Sequence, residues 1–384
     1  MRILERIAFV YYDDKKRFPA LQKLCPQAEF RFVKDLPAAD ALREAAAQGV
    51  LLALENRKLR AAVLPLRDTP GARLYVLPYD VRSAADPVGI DLSKPRLDYM
   101  ETEITRVCNL NCRGCCDFSN LANEPGGKFY DYDRYVSDLR QMKKLFWGIE
   151  KIRIMGGEPL LNPRLAEYTE AAREIFPDSD LRIVTNGLLL SGLSADVLAR
   201  VKAADCSFDI SNYPPTHRKK AEILHTLKNA GVACNFSVPM RFFFRNILEV
   251  PVDDPAPAFN NCIFTHCHMM GDGKLAPCSY AYCISRFNRR FGASYPETDF
   301  VDLYAEGLNG WDIRQAFSQP HEFCRCCGSG IIPFRWKGGV HSSDAKKEDW
   351  QIRRSFINTT LAPKAQRLVK NAAMTLRARI QKKQ

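Results

Sequence analysis

Residues 103–120, EITRVCNLNCRGCCDFSN, carry four cysteines within nine positions: Cys108, Cys112, Cys115 and Cys116. Thiolates spaced C-x3-C-x2-C on one short loop can wrap a single tetrahedral ion or one iron–sulfur cubane. A closed structural zinc site takes four protein ligands, whereas three ligands leave a metal position open for chemistry. Two further stretches bring polar groups to strand ends. IMGGEP closes with Gly156, Gly157, Glu158 and Pro159; its glycines let backbone approach a ligand closely, and its carboxylate can hold an ammonium group. VTNG offers the Thr185 hydroxyl and the Asn186 amide, followed by Gly187. Three polar stations on successive strand ends, one of them with an open metal position, define a single shared ligand site. The alternative for residues 108–116 is a zinc knuckle on an inert α/β domain.

The elements that must position these groups follow a regular rhythm. LDYMETEIT is a strand running into the cysteine loop at residue 105. The helix YVSDLRQMKKLF follows, with Tyr135, Val136, Leu139, Met142, Leu145 and Phe146 as its core-facing stripe. Strands KIRIMG, LRIVT, CSFDIS and VACNFSV alternate with helices PRLAEYTEAAREIF, SADVLARVKAA and RKKAEILHTLKNAG. The strands begin near residues 151, 181, 206 and 232, about one strand-plus-helix unit apart. Repeated units of this kind build an open doubly wound sheet or a barrel, and both gather functional groups at strand C-terminal ends. Upstream, RIAFVYY (6–12), EFRFV (29–33), VLLAL (50–54), AAVLPL (61–66) and LYVLP (74–78) read as strands, with FPALQKL and PAADALREAAAQG as helices. This smaller α/β unit has no Gly-x-Gly-x-x-Gly loop and reads as scaffold. The turn-rich SAADPVGIDLSKP (83–95) marks its boundary. After residue 250 the rhythm stops and cysteines return as Cys262, Cys267, Cys278, Cys283, Cys324, Cys326 and Cys327, the mark of a second, metal-nucleated module. The expected organisation is therefore residues 1–95, 96–250, 251–345 and a tail, 346–384.

Cys108, Cys112 and Cys115, with Gly156–Pro159, resemble the hallmark of the radical S-adenosylmethionine (SAM) enzymes over roughly residues 97–245. The resemblance implies a partial (βα)6 barrel and a [4Fe–4S] cluster whose fourth iron is chelated by SAM. One electron then yields a 5′-deoxyadenosyl radical that abstracts a substrate hydrogen atom. It also implies that Gly156, Gly157 and Glu158 receive the methionine ammonium, with Thr185, Asn186, Ser211 and Asn212 as candidates for the ribose and carboxylate. The superfamily has an aromatic residue before the third cysteine, where this chain has Gly114, so adenine stacking is expected from elsewhere, with Phe118 the candidate. Cys116 is read as incidental. The late cysteines are similar to the twitch or SPASM extension, which implies one auxiliary [4Fe–4S] cluster on Cys262, Cys278, Cys324 and Cys327. Cys267 can replace Cys262, and zinc is the alternative occupant. Cys283 or Cys326 is either a buried free thiol or a hydrogen-atom donor. His266 and His268 are read as exposed loop residues.

Composition bounds the rest. The chain has 384 residues, 14 cysteines and a formal net charge of +12. Clustered cysteines in a loop-poor chain indicate metal or redox chemistry in a reducing compartment. The N-terminal apolar run of six residues is too short for a signal peptide and no stretch suits a membrane span, so a cytoplasmic protein is expected. Residues 351–384 hold nine Lys/Arg and no Asp or Glu. Leu368, Ala372, Leu376 and Ile380 recur four apart there, making a basic amphipathic helix suited to a peripheral membrane contact or to packing on the protein with a solvated cationic face. That tail has no aromatic residue after Phe356 to interleave with its charge, and no nucleic-acid partner is expected. By resemblance, such enzymes oxidise or epimerise sugars or modify ribosomal peptides, using a low-potential flavodoxin or ferredoxin as electron donor. GDGKLAPC and the later W…EDW region are similar to bacterial relatives tied to surface polysaccharide. A carbohydrate or nucleotide-sugar substrate is the first reading and a peptide the second. A non-catalytic iron–sulfur or zinc protein is the third.

Overall fold

The computed structural model describes residues 6–35, 37–54, 62, 73–76, 88–89, 94–121, 127–177, 179–262 and 267–352. AAVLPL (61–66) except Ala62, most of the 83–95 boundary and the amphipathic tail helix lie outside these residues. The chain divides into two compact units. One comprises Met1–Leu97, Lys143–Gly148 and Asn309–Trp311, and the other comprises the rest.

In the first unit, β1 (Phe9–Tyr12), β2 (Glu29–Phe32), β3 (Val50–Ala53), β4 (Leu74–Val76) and β5 (Val88–Gly89) form one sheet in the order β2-β1-β3-β4-β5. The pairs are parallel except β4/β5. β3 is buried on both faces, which is why VLLA is a continuous apolar run. Leu21 of the helix Phe18–Leu24 joins Val10, Leu51 and Ala53 in the core on one face. Leu42, Ala45 and Ala46 of the helix Ala39–Gln48 join Tyr11, Val50 and Leu52 on the other.

In the second unit, β6 (Arg96–Thr105), β7 (Gly148–Gly156), β8 (Asp180–Thr185), β9 (Cys206–Ile210) and β10 (Cys234–Phe236) lie side by side in chain order. The pairs β7/β8, β8/β9 and β9/β10 are parallel. The helices Leu165–Ile175, Ala195–Ala203 and Lys220–Ala230 make the crossovers, so each strand's C-terminal end reaches the same edge. Ile152, Ile154, Leu181, Ile183, Phe208 and Ile210 are buried on one face of the sheet. This is a mixed α/β fold built on parallel sheets.

The stretch after residue 250 does not fold as a separate body. β12 (Met269–Gly271) adds to the free side of β6, parallel to it, and β13 (Lys274–Ala276) and β14 (Val301–Asp302) continue the same sheet. Adding a hairpin here leaves no long bare edge on the central strand. A buried ion pair ties the junction: Arg286, on the helix Ser279–Phe291, holds both Glu103 carboxylate oxygens, at 2.8 and 2.5 Å. β11 (Phe242–Leu248) leaves the parallel array and pairs with β15 (Cys327–Arg335) and β16 (Gln351–Ile352) in a three-stranded sheet.

Candidate active site

Beyond Thr105 the chain wraps into a compact loop through three residues of positive φ, Asn111 (45°), Gly114 (65°) and Phe118 (50°). The turn sets Cys108, Cys112 and Cys115 within electrostatic reach of one another. Burial pushes the Cys108 thiol up to about 12 and Cys112 higher still. Cys115 is held below the ordinary thiol range because Cys116 and Ser119 donate to its sulfur, with Ser119 Oγ at 3.3 Å. Cys116, its partner in that bond, is raised. Cys108 Sγ accepts from Leu110 N at 3.4 Å, and Cys112 Sγ from Trp336 Nε1 at 3.2 Å. Cys112 is buried and Cys108 and Cys115 partly so, and each sulfur is met by a donor, an arrangement that suits thiolates held to an iron–sulfur cluster. Among the described residues no three His, Cys, Asp or Glu side chains form a group ready for a single metal ion. A cubane, with a separate iron for each thiolate, asks for a wider spacing.

The second and third stations are bonded to each other and to this loop. Glu158 is fully buried. Its carboxylate accepts from Thr185 Oγ1 at 2.6 Å, Asn186 N at 2.8 Å and Leu160 N at 3.0 Å. Burial pushes its carboxyl up to about 7, against those three donors. Asn186 Nδ2 in turn donates to Asn109 Oδ1 at 2.7 Å and lies 3.9 Å from Cys108 Sγ. Glu158 is thus a joint between two strand ends, and its oxygens face protein donors where an ammonium was expected. The two glycines serve the same joint. A Cβ at Gly156 would stand 2.1 Å from Thr105 O, and one at Gly157 2.2 Å from Val107 O. What approaches closely here is the neighbouring backbone, with Gly157 N donating to Thr105 O at 2.6 Å. Ser211 and Asn212 follow at the next strand end: Ser211 N donates to Thr185 O, and Asn212 Oδ1 accepts from His217 Nδ1 at 3.3 Å. At the end of β6 the Thr105 hydroxyl is buried with no hydrogen-bond partner. Its side chain shares a face with Glu103 and is fully buried.

Phe118 does not reach this rim. It is fully buried among Tyr280, Phe287 and Trp350, with ring centroids 5.8, 5.8 and 5.7 Å away. The reason for glycine at 114 is equally local. Its Cβ would stand 2.6 Å from both Asp349 O and Phe334 Cζ, so a ring from β15 fills the space a side chain there would take. Trp336, next to it, stacks on Tyr213 at 5.5 Å. The segment around these rings laces the cysteine loop: Arg113 N donates to Lys337 O, Gly339 N to Leu110 O, Val340 N to Asn111 O, and Trp350 Nε1 to Cys115 O.

Several of the late cysteines lie near one another. Cys327 lies within electrostatic reach of Cys278, Cys262 and Cys324, and Cys278 of Cys262 and Cys324. Cys267 senses Cys262 and Cys278 but also Glu101 and Arg153. Cys283 and Cys326 are buried in the core around Tyr280 and Trp350. His268 is buried as well, with Nδ1 3.3 Å from Pro277 O and its ring 5.0 Å from that of Phe317, contrary to the exposed position expected. His266 lies outside the described residues.

One feature escaped the reading of motifs. On the face of the parallel sheet opposite its apolar side, a charge ladder crosses four strands. Arg153 donates to Tyr99 OH at 2.8 Å and to Glu101 at 3.4 Å, and lies 3.7 Å from Asp209. Arg182 pairs with Asp209 and Asp180, each at 2.9 Å, and Lys151 pairs with Asp180 at 3.6 Å. The signal is period-2 alternation of charge with branched apolar residues in KIRIM, DLRIV and SFDI. Parallel strands covered on both faces read as continuous apolar runs instead. This face is therefore polar.

Comparison with known proteins bears on the same stretch. Residues 102–232 match the model of the Radical SAM superfamily. A GTP 3′,8-cyclase of Alkaliphilus oremlandii (strain OhILAs) is 30% identical over 130 residues, 34% of this chain and 40% of that protein. A GTP 3′,8-cyclase of Limosilactobacillus fermentum (strain NBRC 3956 / LMG 18251) is 35% identical over 94 residues, 24% of this chain and 28% of that one. The chain thus spans well under half the length of these curated relatives. Among solved structures, a crystal structure of BtrN in complex with AdoMet and 2-DOIA is 15% identical with a TM-score of 0.39, covering 67% of this chain and 99% of that one.

Proposed function

We propose, from the radical SAM domain at residues 102–232, that this protein is a radical SAM enzyme acting on a polar substrate of carbohydrate or nucleotide-sugar type. The observation that carries the reading is the hydrogen-bonded unit of the three strand ends. Glu158 joins the Gly-Gly-Glu-Pro turn to Thr185 and Asn186, and Asn186 joins both to the cysteine loop. A zinc knuckle on an inert domain needs no such unit. A [4Fe–4S] cluster held by Cys108, Cys112 and Cys115 would supply, with SAM, the one-electron chemistry that removes a hydrogen atom from substrate. The protein's own residues orient and enclose. Glu158 and Asn186 fix the loop that bears the thiols, and Gly156 and Gly157 keep the strand ends in register.

In this reading the five strands β6–β10, with the helices that follow the first four, are the partial barrel. The ladder of Glu101, Arg153, Arg182 and Asp209 then lines its inner face, which favours a hydroxyl-rich or charged substrate over an apolar one. Cys262, Cys278, Cys324 and Cys327 hold one auxiliary cluster, and a low-potential flavodoxin or ferredoxin supplies electrons.

The test is anaerobic reconstitution followed by iron and sulfide counts, then SAM with a strong reductant and assay for 5′-deoxyadenosine. About eight irons per chain are expected if both clusters form. The Cys108/Cys112/Cys115→Ala variant is expected to lose cleavage and half the iron, and the Cys262/Cys278/Cys324/Cys327→Ala variant to lose the other half. Zinc in place of iron, with no cleavage product, refutes the enzyme reading.

A further inference from the structure

The geometry points to Trp336 as a positioning residue that sets the reduction potential of the cluster on Cys108, Cys112 and Cys115. This inference rests on the radical SAM reading and goes beyond it, because no motif in the cysteine loop involves residue 336. Trp336 follows β15, and its indole Nε1–H donates to Cys112 Sγ at 3.2 Å across 224 positions of sequence. The ring has little freedom to turn away. It is stacked on Tyr213 with an interplanar angle of 20°, and Tyr213 packs edge-on against Phe243 at 5.8 Å. The backbone is fixed on both sides: Trp336 N donates to Arg241 O at 2.9 Å, and Lys337 O accepts from Arg113 N at 2.8 Å.

An indole N–H can only donate. Cys112 is 7% exposed, so the bond faces little competition from water. Hydrogen bonds to cysteine sulfurs are among the protein's main means of setting iron–sulfur potentials. A donor stabilises the more negative, reduced cluster more than the oxidised one, so this bond makes reduction easier. Cys108, by contrast, is served from its own loop, by Leu110 N at 3.4 Å. Control of the potential is thereby shared between the cysteine loop and a segment more than two hundred residues later.

The test is Trp336→Phe in the full chain, reconstituted anaerobically. Phenylalanine keeps a ring on Tyr213 and removes the N–H. The reduced-cluster signal that changes on adding SAM is followed by electron paramagnetic resonance at graded potentials. The expected result is unchanged iron and a midpoint shifted to more negative potential. Tyr213→Phe, which leaves the indole in place, is expected to leave the midpoint where it was. Independently, wild-type protein carrying 15N-indole tryptophan is expected to show a 15N coupling to the reduced cluster that Trp336→Phe lacks. An unshifted midpoint with iron retained, or a wild-type cluster without that coupling, overturns the inference. If Trp336→Phe loses its iron, the wild-type coupling decides alone. Wild-type protein that binds no iron at Cys108, Cys112 and Cys115 fails at the iron count, and overturns the enzyme reading and this inference together.

Discussion

Replacing Gly114 by alanine isolates the packing that closes the cysteine loop. Two costs combine. At φ 65° an L-residue is disfavoured by about 1–2 kcal/mol. The new Cβ would also stand 2.6 Å from Asp349 O and 2.6 Å from Phe334 Cζ. The oxygen is backbone. The ring, although a side chain, is flanked by the guanidinium groups of Arg113 at 4.8 Å and Arg245 at 4.7 Å, so it cannot swing aside cheaply. Overpacking of this kind costs about 1–3 kcal/mol, for a total of about 2–5 kcal/mol. Because every 1.4 kcal/mol is tenfold, local opening should become roughly thirty- to several-thousand-fold more frequent. Hydrogen exchange reads this at the amides of Arg113, Gly339 and Val340, which bond across the loop. Gly127 is the control: its φ is 82° but a Cβ there meets nothing within 4 Å, so Gly127→Ala carries only the backbone cost. Gly114→Ala combined with Phe334→Ala should recover the part due to the ring and leave the rest. Wild-type exchange in Gly114→Ala would refute the placement of β15 and Asp349 against the loop.

Three further outcomes are expected. Gly157→Ala should leave the site unfolded, because its Cβ meets Val107 O at 2.2 Å and Val107 C at 2.5 Å, whereas Gly192→Ala, with nothing within 4 Å, should be neutral or slightly stabilising by thermal melting. The Glu158 carboxyl is raised from 4.5 to about 7 by burial. Folding therefore favours its protonated form, and its contribution to stability is lost as pH rises from about 4.5 to about 7, by about 3 kcal/mol; urea unfolding of the metal-free protein should show that slope in wild type and not in Glu158→Gln. Asn186→Ala removes the bonds to Asn109 Oδ1 and from Leu188 N, and should cost about 1–3 kcal/mol. It should also speed iron loss to a chelator, while Ser194→Ala, at a helix N-cap on the same crossover, should lower stability without changing iron retention.

What could be read in advance was local. The strands KIRIMG, LRIVT and CSFDIS fall where the alternation of βα units puts them, and the cysteine loop leaves a strand's C-terminal end, because connectivity over thirty residues is written in nearby sequence. Partners hundreds of positions away were not legible. Nothing near Gly114 announces that Phe334 fills its space, and nothing near Phe118 announces that Trp350 covers it. The βα rhythm ends at residue 250, and no nearby residue announces that β12 returns to pair with β6. Polar loop residues are mostly exposed, but the packing of the His268 ring on Phe317 overrides that tendency. The charge ladder was legible in principle, since charged residues at every second position of a strand contradict burial on both faces.

The motif residues also prove to act in a different order from the one their chemistry suggests. Glycines and a glutamate at a strand end invite the idea that each touches the ligand. Here the glycines are required by the carbonyls of Thr105 and Val107, and the glutamate is held by three donors from its own and the next strand end. A buried carboxylate with satisfied oxygens is a poor site for a passing ammonium but a firm joint. Its value is geometric: it holds Asn186 where that side chain can reach Asn109, and so fixes the loop that carries Cys108. In the proposed reading, ligand contact then falls to groups that the joint positions, the three sulfurs first among them. A site built this way tolerates change in the residues that meet the substrate while its joint cannot vary, since each member of the joint is the hydrogen-bond partner or the steric limit of another.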